Sequence, residues 1–406
     1  DKLDAYNRIL KLVKEGNDVD WLSIPVRELG VGHKHTVMAE GGNESFRYAF
    51  DLFYSNKVGV MKGSKRDNYG GGIRLQYNLK NLKFSNYASF DHLKSVNSPY
   101  GSFSSYLYYN PYYNPYDENG NYYLHPVLQQ VFPHTHPVED INLDKNQSKV
   151  FRSFNSLWAS YEIIDGLILK ETVSYDYVNN TSITYWPVNS NNGQLLNGLG
   201  ATYPYQYHNV YSSTTLNYAK TFKEKHNLDA LVGWDVDDRK KEAVRAASTG
   251  YPHDKLPESV NASTPAEGMA YYTEDHLLSL LSRVNYDYDN KYYVSANYRR
   301  DGSSRLGANN RWANFWSVSA AWRLTQENFM KDLHQINDLK VRASYGINGT
   351  LPNSLYEHLS LYGYGYNYQD IAGSAPVSVP NPDLSWEKNK NFNIGFDGRF
   401  FDRVSV

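Results

Sequence analysis

Trp312-Ala313-Asn314-Phe315-Trp316-Ser317-Val318-Ser319-Ala320-Ala321-Trp322-Arg323-Leu324 is the stretch that decides the fold. Successive side chains of a strand point to opposite faces. Trp312, Trp316, Val318, Ala320, Trp322 and Leu324 therefore share one face, against Ser317, Ser319, Ala321 and Arg323. At ~3.3 Å per residue, Trp312 and Trp322 are about 33 Å apart along the strand. A tilt of ~40° turns that into about 25 Å of height, the apolar band between the aromatic girdles of a membrane barrel. Trp312, Trp316 and Trp322 are accordingly expected to face lipid. A sandwich strand with core tryptophans is the bland alternative.

The same alternation spreads outward. Residues 291–302 set Tyr292, Val294, Ala296 and Tyr298 against Ser295, Asn297 and Arg299. Residues 338–348 set Leu339, Val341, Ala343, Tyr345 and Ile347 against Lys340, Arg342, Ser344 and Asn348. Residues 69–80, 226–238 and 388–400 behave alike. Short turns near Gly42-Asn43, Asn81, Asp165-Gly166, Lys223-Glu224-Lys225 and Asp289-Asn290 alternate with long polar connections near 57–68, 96–149, 179–208, 239–275 and 349–387. Membrane barrels have short periplasmic turns and long outer loops, whereas a soluble sandwich has no reason to alternate them. Parity makes 325–337 periplasmic, with a small helix from Thr325 to Leu333, and the turn Phe401-Asp402 periplasmic too. The strand-like stretch 358–369 then belongs to an extracellular hairpin outside the wall.

The expected fold class is all-β, a transmembrane antiparallel barrel. About 13–14 strands are counted, where transporters of this size have about 22. Thirteen strands cannot close such a barrel, because unpaired backbone groups would face lipid. Residues 1–33 read as a lead-in with a short amphipathic helix, and barrel-type sequence occupies 34–406.

Composition agrees. The 406 residues carry 41 basic and 43 acidic side chains, net -2, which argues for no nucleic-acid partner. There is no cysteine, so disulfides and thiolate sites are excluded. Thirty-eight tyrosines suit strands and membrane boundaries. Mean hydropathy is -0.65, and no apolar run reaches the ~18 residues of a spanning helix.

Tyr298-Arg299-Arg300-Asp301-Gly302-Ser303-Ser304-Arg305 resembles the YRxDGSSRF segment of the SusC/RagA family of TonB-dependent transporters. It runs into Asn309-Asn310-Arg311-Trp312, then Ala321-Trp322-Arg323-Leu324 and Glu327-Asn328-Phe329-Met330. Leu339-Lys340-Val341-Arg342-Ala343-Ser344-Tyr345-Gly346-Ile347-Asn348-Gly349 resembles the family's LKxRASYGxxGN. Asn381-Pro382-Asp383-Leu384-Ser385-Trp386-Glu387-Lys388, followed by Asn393-Ile394-Gly395, resembles NPDLKWEK…NIG. Val19-Asp20-Trp21, His35, Gly41-Gly42-Asn43, Asn110-Pro111 and Asn114-Pro115-Tyr116-Asp117-Glu118-Asn119-Gly120 are similar to earlier family segments. The matches run in order from about residue 19 to 400. Leu306 departs from the usual Phe and Thr350 from the usual Asn.

The resemblance implies an outer-membrane importer of oligosaccharide fragments or peptides. A SusD-like surface lipoprotein acts as its lid, a plug fills the lumen, and a TonB box couples it to TonB. No plug and no TonB box are read in this chain, so the resemblance places 1–33 just after the plug. A siderophore or vitamin receptor, a passive porin and a secreted glycan-binding β-sandwich are the alternatives.

Other motifs have blander readings. Gly70-Gly71-Gly72 lacks the helix and Lys-Ser/Thr of a phosphate loop and reads as close backbone approach in a strand. His125, His134 and His136 lack a further ligand at useful spacing. Asp117-Glu118-Asn119-Gly120 reads as turn chemistry rather than a calcium loop. Asp237-Asp238 reads as solvated acids at a strand end rather than a glycosidase pair. No catalytic residue, metal site or cofactor is expected. Sugars and peptides are gripped by flat aromatic faces, so Tyr112, Tyr113, Tyr185, Trp186, Tyr203, Tyr205 and Tyr207, all read as loop residues, are the candidate substrate or lipoprotein contacts. Packing of the loops is their alternative role.

Overall fold

The computed structural model describes residues 2–116, 119–120, 145–188, 190 and 193–406. His125, His134, His136, Asp117 and Glu118 lie outside the described residues. A helix, α1 (Lys2–Lys14), precedes strands β1 (Gly32–Gly42), β2 (Phe46–Val58), β3 (Lys65–Leu79), β4 (Leu82–Val96), β5 (Lys145–Ile164), β6 (Leu167–Trp186), β7 (Leu199–Phe222), β8 (His226–Thr249), β9 (Thr264–Tyr288), β10 (Tyr292–Ser303), β11 (Trp312–Arg323), β12 (Ile336–Thr350), β13 (Tyr362–Tyr364), β14 (Ser374–Pro376), β15 (Glu387–Phe400) and β16 (Val404–Ser405).

Among the described residues fourteen strands form one sheet in chain order, β1 through β12, then β15 and β16. Each described pair is antiparallel with its sequence neighbour, as in an up-and-down barrel wall. β13 pairs with β14 in a separate two-stranded sheet, so this outer hairpin stands off the wall. The tight turns are made by backbone conformation. Lys223-Glu224, Asp289-Asn290 and Phe401-Asp402 all have positive φ. Two such residues in succession give the hairpin turn whose twist matches that of its strands. Gly71 sits within β3, where a side chain would meet the Asp51 carbonyl at 2.6 Å. Close backbone approach explains the Gly70–Gly72 run.

The register sorts the wall into two faces. On one, Val318 lies between Ala296 and Tyr345 across the ladders, and all three are exposed. Val318 is 46% exposed, so no second sheet covers it. The face carries Phe50, Leu52, Ile73, Val173, Val232, Leu280 and Val294 as well. Aromatic contacts bound this apolar belt. Tyr77–Phe84, His226–Tyr288, Tyr288–Tyr292 and Tyr292–Trp322 lie near the short turns. Tyr69–His92, His33–Tyr54 and Tyr177–His208 lie towards the other end. Tyr77 to Tyr69 and Tyr218 to His208 are offsets of about 8–10 residues, roughly 20–25 Å of height for tilted strands. Glu171 puts a carboxyl within the belt: it accepts hydrogen bonds from Ser212 Oγ at 2.8 Å and from Thr214, both on the neighbouring β7.

Two expectations need correction. The outer connections are shorter than read: 179–208 shrinks to 187–198 and 239–275 to 250–263, because β6 to β9 continue as paired strands. Tyr203, Tyr205 and Tyr207 are thus strand residues of β7, and Tyr185 and Trp186 end β6. The Thr325–Leu333 segment holds two single 3-10 turns, Leu324–Gln326 and Asn328–Met330, rather than a helix. The lead-in lies at the outer end of the wall, the end opposite the short turn at Gly42-Asn43. The Trp21 indole donates to the Asn110 carbonyl at 3.0 Å, the Val19 N–H to that of Pro111 at 2.8 Å, and the Arg27 N–H to that of Val60 at 3.0 Å.

Candidate substrate-facing surface

The second face of the sheet is polar. Arg152, Asp176, Asp235, Asp237, Arg239, Asp275, Arg299 and Asp301 all fall on it by alternation. Charge thereby links β5 to β6 and, separately, β8 to β9 and β10. Arg152 grips Asp176 with two hydrogen bonds of 2.8 and 2.7 Å. Arg239 donates to Asp237 at 3.1 Å and reaches Asp275 at 3.7 Å. Arg299 donates to Asp301 and to the Ser279 hydroxyl, both at 2.7 Å, and stands 3.5 Å from Asp235. Asp237 and Asp238 point to opposite faces. Asp238 meets His276 Nδ1 at 3.1 Å on the other side. They are no catalytic pair.

The motif residues close the upper end of β10 to β12. Arg305, just past β10, makes a fork to Asp275 at 3.0 and 2.6 Å and donates to the Pro352 carbonyl at 3.2 Å. Asp275 is only 7% exposed, so the fork compensates a desolvated carboxylate. Leu306 is completely buried with Ala313, Phe315 and Trp386. The Gly307 N–H donates to the Leu384 carbonyl at 3.1 Å, and the Trp386 indole to that of Arg311 at 3.3 Å. The DGSSR-like and NPDLSWE-like segments are therefore one knot, tying the 351–386 connection to the wall. The departure at Leu306 keeps a large apolar side chain in that core.

The aromatic candidates divide. Tyr113 is 7% exposed, packed with Leu12, Trp21 and Tyr106, and Tyr112 leans on that cluster. Burial also raises the Tyr106 phenol above its ordinary pKa. Tyr185 is 3% exposed, edge-on to Tyr251 at 5.3 Å, with its hydroxyl 3.4 Å from Asp254. Packing is the role the structure gives Tyr113 and Tyr185. Trp186 is half-buried at the end of β6. Tyr203, Tyr205 and Tyr207 stand on the polar face of β7 above the charge network. Tyr203 and Tyr205 rings lie 5.9 Å apart. Sequence reading missed their neighbours Tyr271 and Lys241, which only the strand register brings to them. Nearer the short turns, a recess of about 830 Å³ on the wall includes Asp229, Tyr293, Lys340 and Arg342 in its lining. It lies at the opposite end from these tyrosines.

No family model matches the chain. It is 29% identical over 393 residues to TonB-dependent receptor P39 of Formosa agariphila, covering 93% of this chain and 36% of that protein. It is 26% identical over 418 residues to TonB-dependent receptor SusC of Bacteroides thetaiotaomicron, covering 95% and 41%. The solved RagAB peptide transporter superposes with a TM-score of 0.79 at 25% identity, over 96% of this chain and 44% of that one. The ferric-catecholate receptor Fiu of Escherichia coli shares the fold, with a TM-score of 0.55 at 10% identity. The chain thus spans well under half the length of the curated relatives it matches. These relatives are named receptors and transporters. Sequence and fold together make this chain a stretch of outer-membrane β-barrel wall similar to that of the SusC/RagA-type TonB-dependent receptors.

Proposed function

We propose that the protein containing this wall is an active importer of nutrients, either glycan fragments or peptides. It works with a SusD-like surface lipoprotein and draws energy through TonB. The observation that carries the reading is one wall with two opposed faces: an apolar exterior belt and a charged interior face topped by tyrosines. The likeness to SusC and to a structure named a peptide transporter supports it. In this reading Trp312, Trp316 and Trp322 meet lipid, with Trp322 in the periplasmic girdle. Tyr203, Tyr205 and Tyr207 meet substrate as it enters the lumen.

Uptake tests it directly. Cells carrying the full-length protein, its partner lipoprotein and TonB accumulate a labelled oligosaccharide or peptide pool. Deleting TonB is expected to abolish accumulation, and deleting the lipoprotein to reduce it. Accumulation that persists without TonB would identify a passive channel instead.

A further inference from the structure

From the arginine–aspartate network upward, β8 carries three cations on its interior face: Arg239, Lys241 and Arg245. Arg239 holds Asp237 at 3.1 Å, and Arg245 lies 3.0 Å from Glu267. Lys241 differs. Among the described residues no carboxylate lies within ion-pair distance of its ammonium. It stands instead 4.7 Å from the Tyr205 ring centroid and 5.6 Å from that of Tyr203. The Tyr203 hydroxyl lies 2.7 Å from that of Tyr271. The ladder holds this group in place: Tyr205 pairs with Ala243, and Ala243 with Tyr271. Paired strands on both sides leave the backbone little freedom.

We propose that Tyr203, Tyr205, Tyr271 and Lys241 form a binding site at the barrel mouth for an oligosaccharide with an anionic ring substituent. The proposal rests on the importer reading and names its substrate class. An ammonium over an aromatic face keeps its charge, because the ring supplies only a quadrupole. A carboxylate or sulfate ester would complete it with a charge-assisted hydrogen bond. The tyrosine faces take the C–H face of a pyranose, and the paired hydroxyls offer both a donor and acceptors. A neutral sugar leaves the charge unmatched. An acidic peptide supplies charge without the saturated ring.

The test uses the full-length protein with its plug and partner lipoprotein, purified in detergent and titrated calorimetrically. The probes are a mannuronate tetrasaccharide, a sulfated galactan tetrasaccharide, a neutral glucan tetrasaccharide and tetra-aspartate. At least one anionic saccharide is expected to bind at least tenfold more tightly than the glucan. Lys241→Met should remove that preference, and Lys241→Arg should restore it, with heat-modifiable gel mobility showing that each barrel is folded. Which anionic probe binds identifies the substituent as carboxylate or sulfate. The proposal is overturned if neither anionic saccharide binds, if Lys241→Met binds as wild type, or if tetra-aspartate binds more tightly than both. TonB-independent uptake of a probe that still binds at this site would sink the importer reading and leave the site standing.

Discussion

β7, β8 and β9 are 24, 24 and 25 residues long, whereas β10, β11 and β12 are 12, 12 and 15. At the periplasmic end the two groups match. β7 meets β8 and β9 meets β10 at tight turns, the longer segment 324–335 joins β11 to β12, and one aromatic row runs from His226 through Tyr288 and Tyr292 to Trp322. They part at the outer end. The shorter strands stop under the knot of Leu306, Phe315 and Trp386, while the longer ones rise past the aromatic row at His208 as a bare ladder. Membrane depth and strand length are therefore separate properties. Alternating hydrophobicity reports the first, because only a strand with lipid on one side and polar lumen on the other needs it. Above the belt both faces are wet, and the pairing continues without the pattern.

The comparison can be broken most severely at the knot. Arg305→Met removes the fork and leaves Asp275 only Arg239 at 3.7 Å, so the loss should approach but not exceed the about 3–5 kcal/mol of stripping a buried charge of its partner. Unfolding in urea, followed by heat-modifiable mobility, should show that loss. A change within experimental error would mean that the knot does not brace β9. The belt comes next. Val318→Arg should cost ~2–4 kcal/mol at mid-membrane depth. Val244→Arg, on the same exterior face of β8 but above the aromatic row, should stay within about 0.5 kcal/mol, as ordinary surface changes do. Equal costs at the two positions would erase the distinction between belt and rim.

The smallest effect concerns the shared periplasmic end. Glu327 accepts hydrogen bonds from Tyr292 at 2.7 Å and Trp322 at 3.1 Å, with the Lys291 ammonium 2.6 Å away. The Lys291 contact, then that of Tyr292, holds its carboxyl below the ordinary value. A carboxylate with a depressed folded pKa contributes fully above its unfolded pKa and loses that contribution as pH falls through the folded value. Wild type should therefore exceed Glu327→Gln in stability near neutral pH, and the gap should close on acidification. Melting curves from pH 7 to pH 3 would show this, and a gap that widened in acid would reverse the assignment.

The alternation in Trp312–Leu324 and the short turns made the apolar face, the wall topology and the separate 358–369 hairpin legible before any coordinates. The rim was not. Thr181-Ser182-Ile183-Thr184 and Arg239-Lys240-Lys241-Glu242 look like loops because neither of their faces is apolar. The partition of the tyrosines was also hidden. Tyr185 and Tyr205 look equivalent as residues, yet one is sealed against Tyr251 and the other lies under Lys241. A phenol suits a packed or a wet site equally, so only its neighbours decide. The family-like motifs marked the knot without revealing that its two halves touch.

Glu171 has a consequence for how the wall enters its membrane. Its acceptor oxygens are satisfied by Ser212 and Thr214, which arrive more than forty residues later in the chain. A β6 crossing alone would carry a bare carboxyl into hydrocarbon, at a cost of several kcal/mol. The β6–β7 hairpin is therefore expected to insert already zipped. Insertion into lipid vesicles should be faster for Glu171→Leu only when β7 is kept from pairing, for instance by prolines at Ser213 and Thr215.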